Sequence, residues 1–133
     1  MPNFLLLLIL DGRLRKQRLA SALLLFVLIL LLGSIPGARA EIGQLGSGWV
    51  LHCVAYSTLT FLLYTGLQGN PNQRALKAVL AIMLMGALDE GVQSLLPYRV
   101  GTVLDWMIDS TSSILTAGLL RAFLPEPFTA GRA

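Results

Sequence analysis

Charge is scarce in this sequence. Only 13% of its 133 residues are Asp, Glu, Lys or Arg, while 55% are hydrophobic; an ordinary soluble domain carries roughly 25% charged residues. The single cysteine, Cys53, rules out an internal disulfide, so redox compartment cannot be read from it. The single histidine, His52, makes a zinc site unexpected, although Glu90 and Asp105 carry oxygens that such a site can use. No basic stripe interleaved with aromatics is present, which speaks against nucleic acid despite a net charge of +3. Internal repeats, low-complexity linkers and nucleophile or metal motifs are also missing, and no cofactor is expected.

What is present is a series of long apolar blocks with the charges pushed between them. Measured against the requirement of about 20 residues per span, four blocks qualify as candidates: residues 19–35, 49–67, 75–96 and 103–123. Pro36 and Gly37 stop the first, the Gly69-Asn70-Pro71-Asn72 turn follows the second, Pro97 ends the third, and Pro125 with Pro127 closes the fourth. The expected fold is therefore all-α, one membrane domain over residues 1–133 built as a bundle of four spanning helices. Residues 4–10 are apolar but too short to span, and Asp11, Arg13, Arg15, Lys16 and Arg18 follow at once. They read as a short interfacial helix and not as a secretory signal, since no positive residue precedes them and no small-residue cleavage site follows.

Cationic residues bias loops toward the cytoplasm. With both termini inside, Arg13, Arg15, Lys16, Arg18, Arg74, Lys77, Arg121 and Arg132 are cytoplasmic and only Arg39 and Arg99 face out, eight of the ten against two. The outer loops are then residues 36–48 and 97–102.

Polar groups inside such helices carry a cost of about 2.5 to 3.5 kcal/mol for each ionisable one on insertion scales, so they face a bundle interior. His52 and Tyr56 are four apart, Glu90 and Gln93 three apart, and Asp105 and Asp109 four apart, so each pair shares one helical face. In the topology above all three pairs reach the outer leaflet, with Glu90 about 9 Å below its helix end at 1.5 Å per residue and Arg99 in the short loop above. Asp89, next to Glu90, is expected to point elsewhere. Asp105 has the ordinary alternative of serving the positive end of the fourth helix dipole. Arg99 has that of a salt bridge to Glu90 or Asp105. For His52, a hydrogen-bonded interfacial role ranks ahead of proton carrier or metal ligand. Glu90 and Gln93 can act as inter-helix glue, and Ser110, Thr111, Ser112 and Ser113 read as close helix packing.

The order HCVAYSTL, GALDEGVQSLLPYR and then Asp105 resembles the VanZ-like family, small bacterial membrane proteins named for one linked to teicoplanin resistance. His52, Tyr56, Glu90, Gln93, Pro97, Arg99 and Asp105 fall on that pattern, and the resemblance covers about residues 23–123. It departs at Gly48 and Trp49, where an Asp-Lys pair is common, and at Asp109 and Ser112, where asparagine and glycine are common. The resemblance implies a multi-pass protein of the bacterial inner membrane and, as in the family's namesake, an effect on glycopeptide sensitivity by no defined route, with no reaction attached. Three functions stay open: a non-enzymatic envelope protein binding a lipid head group or protein partner through the polar cluster, an intramembrane enzyme on a lipid-linked substrate, and a purely structural bundle. The first is expected, with membrane lipids as partners.

Overall fold

The computed structural model describes residues 9–38, 41 and 48–125. Among them are four long helices and no strand: α1 (Arg15–Ser34), α2 (Gly48–Gly66), α3 (Pro71–Ser94) and α4 (Val103–Phe123), with a 3₁₀ turn, Gly12–Leu14, leading into α1. The expected interfacial helix lies outside the described residues except for Ile9 and Leu10, which are helical.

The helix ends follow local chemistry. Asp11 accepts from Arg13 N at 2.8 Å and caps the 3₁₀ turn. Helix α1 starts four residues before the apolar block does, because Arg, Lys and Gln are good helix formers and hydrated charge does not break a helix. It stops where Ile35 turns extended ahead of Pro36 and Gly37 takes φ 82°. Helix α3 also starts early, at Pro71, behind a reciprocal capping box between Asn70 and Gln73. Thr102 caps α4 by accepting from Asp105 N at 3.1 Å.

The helices alternate in direction. Arg15 Nε donates to Gly66 O and Arg18 to Thr65 O, so the start of α1 caps the open carbonyls at the end of α2. At the opposite end Tyr98 donates to Ser34 O at 2.6 Å, tying the α3–α4 loop to the end of α1. Seven of the eight expected cytoplasmic cations thus share one end of the bundle; Arg132 lies outside the described residues. Helix α4 packs chiefly on α3 and α2, and α1 packs on α2 and more lightly on α3.

The apolar core, built from Ala22, Phe26, Tyr56, Leu59, Leu63, Tyr64, Ala78 and Ile82, fills the half nearer the basic end. The interior as a whole is not apolar. Among the described residues ten hydrophobic side chains are buried beside eleven polar or charged ones, while Leu24, Val54, Leu84 and Leu115, one from each helix, stand more than 60% exposed. Among the described residues one helical stretch, Gly12–Ser34, is long and apolar enough to cross a membrane, and only 11% of its most apolar window is buried in the bundle.

Candidate functional site

The polar side chains meet at the end of the bundle where α2 and α4 begin and α3 ends. His52, in the first turns of α2, places Nδ1 2.8 Å from Asp109 Oδ1 on α4, and an ionised Asp109 accepts that hydrogen bond. One turn on, Tyr56 lies under the imidazole with the rings 5° from parallel and centroids 6.1 Å apart. The Tyr56 hydroxyl donates to Asp89 Oδ2 at 3.1 Å, and Gln93 Nε2 donates to Asp89 Oδ1 at 3.0 Å. Arg99 then donates to Gln93 Oε1. A chain of side chains therefore runs from α2 through α3 into the loop.

Glu90 serves the other side of α3. Its Oε2 accepts from Thr102 N at 2.6 Å, which fixes the carboxylate against the start of α4. Gly101 makes this approach possible: a Cβ there would lie 2.2 Å from Glu90 O and 2.3 Å from Ser94 Oγ. Trp106 donates its indole N–H to Met83 O at 2.9 Å, pinning the first turns of α4 to α3. Asp105 and Asp109 are 5% and 0% exposed, and Ser113 next along the same face is also fully buried.

Asp89 corrects the sequence reading. It does not point away; it is 2% exposed and is the acceptor on which Tyr56 and Gln93 converge. Two adjacent residues of a helix diverge by about 100°, and α3 packs against α1, α2 and α4. Asp89 and Glu90 can therefore both be buried, each toward a different neighbour. The signal was there: Asp89 and Gln93 are four apart, the same spacing that singled out the other pairs. Thr102 and Trp106 were also missed, because a backbone N–H and an indole that bind across helices leave no periodic trace. Of the hydroxyl run, Ser110, Ser112 and Ser113 are buried and Thr111 is exposed.

No family model, curated protein or solved structure matches this chain. Its chemistry must be read from the site.

Two hollows flank the cluster. The first, about 360 Å³, lies between α1 and α2 and reaches α3; Leu25, Ile29, Leu32 and Val54 give it an aliphatic wall, and His52, Asp89, Gln93 and Arg99 a polar end. The second is a shallow groove of about 730 Å³ at the bundle end, bordered by Pro36, Trp49, Tyr98, Arg99 and Asp105. Arg99 and its loop stand between them. One nitrogen of His52 and one oxygen each of Glu90 and Asp109 also lie within 4.8 Å of one another.

Proposed function

We propose that this chain is a VanZ-like integral membrane protein of the bacterial cell envelope, a four-span bundle with cytoplasmic termini, which binds an anionic lipid head group at the extracytoplasmic end. The inverted distribution of side chains supports the bundle part of this reading: polar groups meet inside while leucines and valines cover every helix outside. That is the arrangement hydrocarbon favours, since ionisable groups then face the bundle and find partners. The gathering of arginines and lysines at the opposite end supports the orientation.

One observation carries the binding role, the cavity beside α1. Its volume falls within the range of small-molecule sites, and its composition changes along its length from aliphatic to polar, as an amphiphile requires. Acyl carbons would lie along Leu25, Ile29 and Leu32 while the Arg99 guanidinium meets the phosphate; Gln93 and Asp89 hold Arg99 from below. A bundle whose polar groups only fixed helix register would have no need of this space.

The test is lipid retention by purified protein in nanodiscs, followed by native mass spectrometry. Wild type should retain a phospholipid or lipid-linked phosphate, and Arg99→Ala should lose it while eluting and melting like a folded bundle. Equal retention by the variant removes the proposed role. In a host where the protein alters glycopeptide sensitivity, Arg99→Ala should abolish that effect too.

The pairing of His52 with Asp109 favours a second reading, an intramembrane enzyme acting on a lipid-linked substrate. A carboxylate that orients an imidazole prepares it for proton transfer. Turnover of envelope lipids by purified protein, lost in Glu90→Gln, would select this reading over binding alone.

A further inference from the structure

We infer that His52, Glu90 and Asp109 form a binding site for one divalent transition-metal ion, zinc or manganese, at the junction of α2, α3 and α4. Each helix supplies one ligand, and the three ligand atoms lie within 4.8 Å of one another. His52 Nδ1 and Asp109 Oδ1 are already 2.8 Å apart. Adjacent ligands on an ion with bonds of about 2.1 Å stand roughly 3.0 to 3.4 Å apart, so this hydrogen-bonded pair needs to open by only a few tenths of an ångström to form one edge of a coordination shell. Closing the others takes a contraction of about 1.4 Å at most from the 4.8 Å limit.

Proximity of acids alone would not make a site; two further observations point to a cation. Glu90 Oε1 and Asp109 Oδ2 are buried with no hydrogen-bond partner among the described residues, in side chains of residues only 7% and 0% exposed. A buried carboxylate oxygen without a donor is costly, and a cation beside it would offset that cost. Charge makes the same demand: Asp89, Glu90, Asp105 and Asp109 are all buried at this end, and Arg99 is the one guanidinium among the described residues facing them. A neutral imidazole with two carboxylates carries a charge of −2, which a divalent ion offsets.

The surroundings supply what an ion site needs beyond its ligands. The Thr102 N–H holds Glu90 by its second oxygen, an outer contact that orients a ligand. Gly86, one turn before Glu90, leaves the Asp109 carboxylate its place, since a Cβ there would come within 3.1 Å of Oδ2. His52 borders the cavity beside α1, which gives an ion an entry path. The nitrogen ligand argues against magnesium and calcium, which prefer all-oxygen shells, and the mixture with carboxylates suits zinc or manganese. Three protein ligands leave coordination positions open.

The experiment uses the full chain purified in detergent, stripped with chelator and titrated with Mn²⁺ or Zn²⁺, with Mg²⁺ and Ca²⁺ as controls. One tight equivalent of Mn²⁺ or Zn²⁺ per chain is expected, with no comparable uptake of the controls. Glu90→Gln and Asp109→Asn should each weaken it at least about tenfold, with helix content and elution unchanged. Pulsed paramagnetic resonance on Mn²⁺-loaded wild type should show coupling to an imidazole nitrogen, and this readout stands if a variant fails to fold. Absence of a stoichiometric site, binding unchanged in both variants, or Mn²⁺ without nitrogen coupling would overturn the assignment.

Discussion

Tyr56 donates its hydroxyl to Asp89 across the α2–α3 interface at 3.1 Å, with both residues at most 2% exposed. This bond joins the apolar core, of which the Tyr56 ring is part, to the polar network above it. Removing the hydroxyl in Tyr56→Phe should therefore lower stability while keeping the packing. Hydrogen bonds between helices in membranes average about 0.6 kcal/mol and reach about 1.7, and Tyr56→Phe should fall in that range. Asp89→Ala should cost more, since it strips both Tyr56 and Gln93 of their acceptor. Thermal melts in detergent of both single variants and the double variant measure the coupling; strict additivity would show that the contact contributes nothing.

Two glycines separate close approach from mere flexibility. A Cβ at Gly101 would collide with Glu90 O, whereas one at Gly118 in the middle of α4 meets nothing within 4 Å. Gly101→Ala should push Thr102 off Glu90 and destabilise by about 1 to 3 kcal/mol. Gly118→Ala should be neutral or stabilise α4 by up to about 1 kcal/mol, the helix-propensity difference between the two residues. A melting-temperature comparison decides, and equal shifts in one direction would contradict the geometry.

Arg18 holds the end of α2 with Nε and one terminal nitrogen on Thr65 O, at 3.2 and 3.0 Å. A lysine brings a single point charge and cannot reproduce that fork. Arg18→Ala should lower the melting temperature, and Arg18→Lys should recover only part of the loss. Full rescue by lysine would reduce the contact to charge alone.

Leu84 stands at the middle of α3 and is 63% exposed. On a water-facing surface Leu84→Arg would change stability by at most about 0.5 kcal/mol. On a lipid-facing one an arginine at the helix centre costs about 2.5 to 3.5 kcal/mol of insertion free energy. The proposed membrane bundle requires the second outcome, read as loss of the protein from the membrane fraction. Leu84→Ile is the matched control and should insert normally.

Orientation has its own check. Cys53 is exposed on α2, so a Cys53→Ser background is needed before cysteines are introduced. Tyr98→Cys should then react with an impermeant maleimide added outside intact cells, and Gln68→Cys should react only after the membrane is opened. The reverse pattern would place the polar end in the cytoplasm and remove the extracytoplasmic site.

Local and periodic features were legible in the chain itself. The leucine run, Pro36, Pro97, the Gly69–Asn72 turn and the i, i+4 pairs establish four helices, their stops and the face on which His52, Tyr56, Asp105 and Asp109 sit. These are consequences of sterics and of 3.6 residues per turn, and they need no partner helix. Partner choice is different. That His52 meets Asp109, that Asp89 rather than Glu90 receives Tyr56 and Gln93, and that Glu90 binds a backbone N–H twelve residues on depend on which helices touch and at what rotation. Helix α3 has neighbours on several sides, so a rule assigning it one buried face could not place both Asp89 and Glu90. The sequence determined how many costly polar groups the helices carry and at what level. Only the packed bundle decided which of them satisfy one another, because that balance is struck between helices far apart in the chain.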